Sequence, residues 1–554
     1  MRRTLSLAIL AAGIPMWAAH PVRALHGMVV TVEPHATAVG VKVLQAGGNA
    51  VDAAVAVGFA LAVTHPSAGN IGGGGFMLLR MAGGRAAFVD FRERAPLGAS
   101  RNMYLDAAGK PTRDSTVGYR ASGVPGTVRG MEYASRKFGT RSWAELVVPA
   151  VELASKGYAL TDAEATSLRD AANRLGAFPE SKRIFLRGGK FYQPGDTFVQ
   201  PDLGRTLDRI ARLGATDFYQ GETARLLAAD MKEHGGPITL DDLNGYQAIE
   251  RQPLTGRYRG YDILSAPPPS SGGVGILQML GVLEGTGFEK AGAGSATAVH
   301  YMTEAMRHFF ADRSENLGDP DFLQVPLAAL LNSRYLGRIR ASIDAEKATP
   351  SSQVKGTVFS AHESAQTTHY TIADAQGNVV AVTYTLNDGY GSKVTATGLG
   401  FLLNDEMDDF ASQPGVANGG GRVLGEADAI APRKTPLSSM TPTIVLREGK
   451  PFLALGSPGG QTIINTVLEV LVNVIDWNMN VQDAVNWPRF HHAWLPDELQ
   501  MEPGYSPDTI ALLRQRGYTV KPVRAQGECA AIRWNDGWLE GAADPRTGGT
   551  AEGY

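Results

Sequence analysis

At 554 residues the chain is several times longer than the roughly 100 to 200 residues of a typical domain, so it can bury a large core or several layers. Hydrophobic residues at 44% and charged residues at 19% are ordinary for a globular protein and exclude a disordered or fibrous chain. A net charge of −3, with no long run of like charges, leaves no electrostatic footprint for nucleic acid or an anionic membrane.

The chain begins Met1-Arg2-Arg3, followed by an apolar stretch from Leu5 to Ala19 broken by Gly13 and Pro15, with small residues at Ala18-Ala19 and around Ala24. A basic start, a short apolar centre and a small-residue end predict a secretory signal peptide over residues 1–24, and hence a periplasmic or secreted protein. No later apolar stretch is long enough for a stable membrane span. The 66 glycines cluster without repeating, which predicts tight turns and close backbone approaches.

Ala36 to Val63 has helical spacing, and Gly47-Gly48-Asn49-Ala50-Val51-Asp52 supplies a turn and a helix start. Gly69-Asn70-Ile71-Gly72-Gly73-Gly74-Gly75-Phe76 follows a helix and precedes a strand, the reverse of a phosphate-cradling loop, so a nucleotide site is rejected. Trp143 to Lys156 and Glu222 to His234 read as helices without chemistry. Pro267-Pro268-Pro269-Ser270-Ser271-Gly272-Gly273 stops a strand ahead of the apolar helix Val274 to Leu283, and Ala298 to Arg313 reads as another helix. Residues 346–366 lose periodicity and predict an exposed, cleavable linker.

Beyond that linker, Thr367 to Ala373 and Val379 to Thr385 alternate, joined by Asp374-Ala375-Gln376-Gly377-Asn378, whose Asp and Gly suit a hairpin turn. If Ala373 pairs with Val379, then Thr367 lies opposite Thr385. One face then carries Thr368, Tyr370 and Ile372 with Tyr384, Val382 and Val380; the other carries Thr367, His369 and Thr371 with Thr385, Thr383 and Ala381. A bulge at Gly377 would shift this register.

Gln366-Thr367-Thr368-His369-Tyr370 resembles the self-cleavage site of the γ-glutamyltranspeptidase (glutathione hydrolase) family, in its exported bacterial form. Gly47 to Ala54, Asp90-Phe91-Arg92-Glu93, Pro267 to Gly273, Tyr384 to Asn387, Met407-Asp408-Asp409-Phe410, Pro436 to Met440 and Gly456-Ser457-Pro458-Gly459-Gly460 extend the resemblance, in the family's order, over nearly the whole chain. The resemblance implies an α+β fold, the four-layer αββα sandwich of N-terminal-nucleophile hydrolases, built from two fragments of one precursor. The large subunit would be residues 25–366 and the small, catalytic subunit residues 367–554.

The chemistry suits those residue types. A threonine hydroxyl needs a base, and an α-amine of pKa about 7.7 to 8.0 is matched to that task near neutral pH. An internal threonine has no such amine until the bond between Gln366 and Thr367 is broken. The resemblance implies that Thr367 cuts that bond and then attacks γ-glutamyl amides such as glutathione, passing the γ-glutamyl group from its ester to water or to an amino-acid or peptide acceptor. It implies that Thr385 orients the nucleophile and that Gly459 and Gly460 donate backbone N–H groups to the oxyanion. Arg92 with Ser438 and Ser439 would clamp the substrate α-carboxylate, and Asn387, Glu406 and Asp409 would hold its α-amine.

One departure stands out. Where many bacterial members carry an aromatic on the lid, within Pro414 to Met440, this chain has Gly419-Gly420-Gly421, which leaves the balance of hydrolysis and transfer open. His491-His492 lacks the companions of a metal site, His369 reads as structural, and the lone Cys529 as a small buried hydrophobe, so neither metal nor cofactor is expected. Two rival readings stay open: a cephalosporin acylase of the glutaryl type on the same scaffold, and an exported binding protein that never processes.

Overall fold

The computed structural model describes residues 19–355, 366–416 and 425–554. Two seven-stranded sheets form its centre, with every neighbouring pair of strands antiparallel. One runs Thr550–Gly553, Gly27–Thr31, Thr368–Asp374, Val379–Thr385, Gly74–Arg80, Ala86–Asp90, Ile249–Arg251. The other runs Val22–Ala24, Trp538–Ala542, Ala530–Asn535, Lys450–Gly456, Thr443–Arg447, Tyr261–Ser265, Leu254–Tyr258. Helices Pro34–Gln45, Ala50–Thr64 and Thr127–Phe138 share the core on the outer face of the first sheet; Gly272–Leu283, Ala296–Asn316 and Thr462–Ile475 share that of the second. Between the sheets, Phe76, Leu78 and Phe88 meet Leu264, Ile444 and Ala454, while Met28 and Val30 meet Ala530, Ile532 and Leu539. The layers are therefore αββα, an α+β fold. Among the described residues no helix is long and apolar enough to cross a membrane.

The hairpin at the centre of the first sheet pairs Thr368 with Tyr384 through Ala373 with Val379, without a slip at Gly377. Its turn is held by Asp374, whose carboxylate accepts the N–H groups of Gln376 and Asn378 at 3.0 and 2.9 Å. The second oxygen of that carboxylate accepts the Ala50 N–H at 2.8 Å, at the start of helix Ala50–Thr64. Asn49 and Asp52 close the same helix end with reciprocal hydrogen bonds, the capping-box arrangement. Turn and helix are thereby fixed to each other.

Both faces of the hairpin are buried. Tyr370, Ile372, Val380, Val382 and Tyr384 lie in the helix-side core, where each fully buried aliphatic side chain contributes about 1.5 to 3 kcal/mol. The two tyrosine hydroxyls donate to carbonyls of the covering helix, Ala54 and Gly58, both at 2.9 Å. The polar face is the interior of the sandwich. There the Thr371 hydroxyl donates to the Ala530 carbonyl at 3.0 Å, so Thr371 accepts from His369 Nε2–H, and His369 Nδ1 accepts from Thr383. Every polar atom of this layer has a partner, which is what its burial requires.

Two expected boundaries fall on structured chain. The predicted exposed linker begins with anchored chain: Ser351 is buried, its N–H and hydroxyl bonding Asp497 and the Trp494 carbonyl at 2.8 and 2.6 Å. Ala348 and Val354 are buried beside it, because their apolar side chains join the core under helix Ala296–Asn316; residues 356–365 lie outside the described residues. The predicted signal peptide, residues 1–24, is described only from residue 19, and its end Val22–Ala24 is an edge strand paired with Trp538–Ala542. Arg23 bonds Glu540 there at 2.7 Å, so a cut after Ala24 removes a strand.

A Cβ at Gly456 would lie 2.2 to 2.7 Å from three atoms of the His369 ring, which its two threonine bonds hold in place. Gly456→Ala is expected to destabilise the fold by about 1 to 3 kcal/mol, the usual cost of overpacking, measured by chemical denaturation.

Candidate active site

Thr367 stands at the open end of the hairpin, 9% exposed. Its hydroxyl donates to the carbonyl oxygen of the preceding Gln366 at 2.8 Å and lies 3.4 Å from Thr385 Oγ1. The Thr385 hydroxyl donates to the same carbonyl at 3.0 Å and accepts the Asn387 N–H at 2.9 Å. Two hydroxyls thus converge on the one peptide oxygen next to Thr367. The turn after Thr385 is tight: Asn387 has φ 78°, a left-handed conformation that asparagine tolerates, and its amide donates to the Asp405 carbonyl at 3.0 Å.

Arg92, Thr367, Thr385, Asn387, Glu406, Asp409, Ser438, Ser439 and Gly460 line one cavity, with Met440 and Ile463. Arg92 is buried, with Asp409 Oδ2 2.5 Å from Nη2 and Glu406 Oε1 2.6 Å from Nη1. Burial opposes the charge of Arg92, but Glu406 and Asp409 outweigh it and hold the guanidinium protonated. Burial also lifts Glu406 well above the ordinary carboxyl range, against the pull of Arg92, and lifts Glu93 to about 7. The cavity holds one tight cluster of an arginine and acids, the complement of a zwitterion.

Gly459 and Gly460, with φ 128° and 57°, form the turn before helix Thr462–Ile475. Their carbonyls take helix N–H groups at 3.1 Å, whereas no described protein group accepts their own N–H donors. Gly459 also borders a second cleft, of about 930 Å³, which is lined by Gln366 and shares Thr367 with the smaller cavity. Two converging threonine hydroxyls, the N–H groups of Gly459 and Gly460 and a charged pocket therefore border the same two adjoining cavities.

A sequence profile described as Gamma-glutamyltranspeptidase matches residues 36–554. The chain belongs to this family. It is 50% identical over 531 residues to the glutathione hydrolase proenzyme of Escherichia coli K12, covering 95% of this chain and 92% of that protein. Among solved structures, cephalosporin acylase from Bacillus halodurans is similar with a TM-score of 0.87 at 25% identity, over 99% of both chains. The γ-glutamyltranspeptidase of Helicobacter pylori is 46% identical over 62% of this chain and 97% of that chain, with a TM-score of 0.58.

One family motif, Pro267 to Gly273, and one glycine run, Gly72 to Gly75, brace the site. Ser438 N–H donates to the Pro269 carbonyl at 3.0 Å, and the Ser438 carbonyl accepts the N–H and hydroxyl of Ser271 at 2.7 and 2.8 Å. Pro267 to Gly273 thus pins the serine pair from a segment far away in the chain. In the run Gly72 to Gly75, a Cβ at Gly73 would sit 2.0 Å from the Thr385 carbonyl oxygen and one at Gly75 2.4 Å from that of Thr383. Those glycines let the neighbouring strand close on the hairpin. No sequence signal singled out Arg313, whose Nη2 donates to Ser439 Oγ at 3.1 Å. Only its place at the end of a predicted helix was available.

The histidines stay outside the chemistry. Burial lowers His369 to about 3, so it remains neutral, and His491 and His492 bond Asn465 and Asp497 at 2.6 and 3.1 Å. Among the described residues no cluster of His, Cys, Asp and Glu could hold a metal. Cys529 is buried, its thiol pushed up to about 12 by that burial. Gly419-Gly420-Gly421 lies outside the described residues.

Glu93 and Asp428, both pushed to about 7 by burial from ordinary values of 4.5 and 3.8, keep protons in the fold that the unfolded chain releases at lower pH. Their contribution is whole below about pH 4 and lost as pH rises through about 7. Denaturation midpoints should therefore fall across that window, and Glu93→Gln should flatten the fall; an unchanged slope would refute the assignment.

Proposed function

We propose that this chain is an exported γ-glutamyltransferase and glutathione hydrolase, made as a precursor that cuts itself between Gln366 and Thr367. The observation that carries the reading is the convergence of the Thr367 and Thr385 hydroxyls on the Gln366 carbonyl at 2.8 and 3.0 Å, beside the Arg92, Glu406 and Asp409 cluster. Attack of Thr367 Oγ1 on that carbonyl carbon places negative charge on the oxygen, where the Thr385 hydroxyl already donates. The C–N bond then breaks toward the Thr367 nitrogen, giving an ester that water hydrolyses. The products are a Gln366 carboxylate and a free Thr367 α-amine.

In the mature enzyme that amine takes the proton of Thr367 Oγ1 as the oxygen attacks a γ-glutamyl carbonyl. Gly459 and Gly460 offer the N–H donors for the new oxyanion. The substrate carboxylate exchanges places with an acid on Arg92 and meets Ser438 and Ser439, while its ammonium meets Asp409, Glu406 and Asn387. The γ-glutamyl ester then passes to water or to an amine acceptor arriving from the large cleft. Residues up to Gln366 and from Thr367 onward are proposed as two subunits that stay together, since both sheets take strands from both. The leader's cut is proposed upstream of Val22, which keeps the edge strand, and a periplasmic or secreted site follows from that leader.

The likeness to a cephalosporin acylase favours a glutaryl substrate as the second reading. A glutaryl group has no amine, so it would leave buried Glu406 and half-buried Asp409, which already pair with Arg92, without the ammonium that suits them. That cost favours the γ-glutamyl reading.

Purified wild type should run as two fragments under denaturing conditions, the smaller beginning at Thr367 and the larger before Val22 on N-terminal sequencing. Thr367→Ala should stay one chain, and Thr385→Val should slow the cut by about 100-fold or more, the scale for losing one oxyanion donor. A folded wild type that stays whole would remove the mechanism. In the same preparation, a γ-glutamyl anilide should be turned over in preference to a glutaryl anilide; the opposite preference would move the assignment to the acylase reading.

A further inference from the structure

The carboxylate end of the pocket is short of positive charge. Arg92 is the cation that lines it, and Asp409 and Glu406 already stand on its two terminal nitrogens at 2.5 and 2.6 Å. A carboxylate entering there would meet one guanidinium and the acids around it. Two hydroxyls help only if they present protons, and a serine can equally turn a lone pair toward its visitor.

Arg313 addresses both problems. It lies in the last turn of helix Ala296–Asn316, only 3% exposed. Its Nε donates to Ser271 Oγ at 2.9 Å and its Nη2 to Ser439 Oγ at 3.1 Å. Ser271 passes its own proton to the Ser438 carbonyl at 2.8 Å, and Ser438 Oγ accepts the Met440 N–H at 3.1 Å. Each pocket serine thus has its oxygen engaged as an acceptor, and no described protein group takes either hydroxyl proton. Those protons are left for an acceptor in the cavity. Accepting from a guanidinium also makes the Ser439 hydroxyl a stronger donor.

We propose that Arg313 is a positioning residue for the α-carboxylate of the γ-glutamyl donor: through Ser439 it fixes a hydroxyl proton toward that carboxylate and supplies a second buried positive charge behind it. This rests on the γ-glutamyl reading of the pocket. The Nε and Nη2 donors that bond Ser271 and Ser439 lie along one edge of a planar guanidinium, so they can span both oxygens together. The single ammonium of a lysine keeps the charge but cannot hold both oxygens in that geometry.

The test compares two donors, a γ-glutamyl anilide and the 4-aminobutyryl anilide, which is the same acyl group without its α-carboxylate. Arg313→Lys should lower kcat/KM for the γ-glutamyl compound by about 10- to 100-fold, the range for one hydrogen bond to a charged group, mostly through KM. It should change the 4-aminobutyryl compound by less than about threefold, so the preference of the enzyme for a carboxylate collapses. Ser271→Ala, which frees one edge of the guanidinium without touching its charge, should shift the same ratio in the same direction by a smaller factor, and it decides the matter if Arg313→Lys does not fold. Equal losses on both donors would reduce Arg313 to a packing role and overturn the proposal, as would an unchanged ratio. A folded wild type inactive on the γ-glutamyl compound would instead remove the functional reading and this inference with it.

Discussion

One carbonyl oxygen, that of Gln366, accepts from both Thr367 and Thr385, and the rest of the fold is arranged so that it can. The two hydroxyls meet because the strands Thr368–Asp374 and Val379–Thr385 pair in a single register; a slip of one residue would send Thr385 to the helix side. Asp374 fixes the turn and simultaneously caps helix Ala50–Thr64, while Tyr370 and Tyr384 bond that helix from the strands. On the opposite face His369, Thr371 and Thr383 are used up in bonds to one another and to Ala530, so they compete neither for a proton nor for space. Register is thus specified from the turn, from the helix and from the other sheet at once.

The same arrangement bears on what a cut before Thr367 would do. In each sheet strands from before and after that bond lie side by side: Gly27–Thr31 and Gly74–Arg80 flank the hairpin, and Tyr261–Ser265 lies beside Thr443–Arg447. Every core cluster draws on both segments. Breaking one peptide therefore changes the chemistry at Thr367 while leaving the packing intact, because the new ends lie at the mouth of a hairpin and not within a layer. Self-cleavage in this architecture costs little structure.

Much of this could be read from the sequence where the determinants are local. The hairpin register followed from period-two alternation and an Asp-x-x-Gly turn, and helices such as Trp143–Lys156 from their helical pattern. The residues named for the pocket came from motifs in the family's order, and they line one cavity together. What escaped is what depends on partners distant in sequence. Nothing local marks Val22–Ala24 as a strand, since its pairing partner is Trp538–Ala542. Ser351 looks like linker until Trp494 and Asp497 are placed beside it. Arg313 is one charge at a helix end until the chain brings Ser271 and Ser439 to it. Alternation separates the two faces of a strand but cannot say that both are buried, so the polar layer between the sheets had to come from the structure.

The pocket's charges are best understood as a substrate's place held by protein groups. An empty site with an unpaired buried arginine or acid would bear a large desolvation cost, and here Arg92 stands in ion pairs with Glu406 and Asp409 instead. A zwitterion offers the same two charges in the opposite sense, so it can slide between the guanidinium and the acids without changing the net charge of the buried cluster. Burial that keeps Glu93 protonated to about pH 7 limits how much negative charge accumulates there. A ligand with only the carboxylate, or only the amine, would break that neutrality and leave one side uncompensated. On the proposed reading of the pocket, selectivity for an acyl group carrying both follows from the balance of the cluster, before any single hydrogen bond is counted.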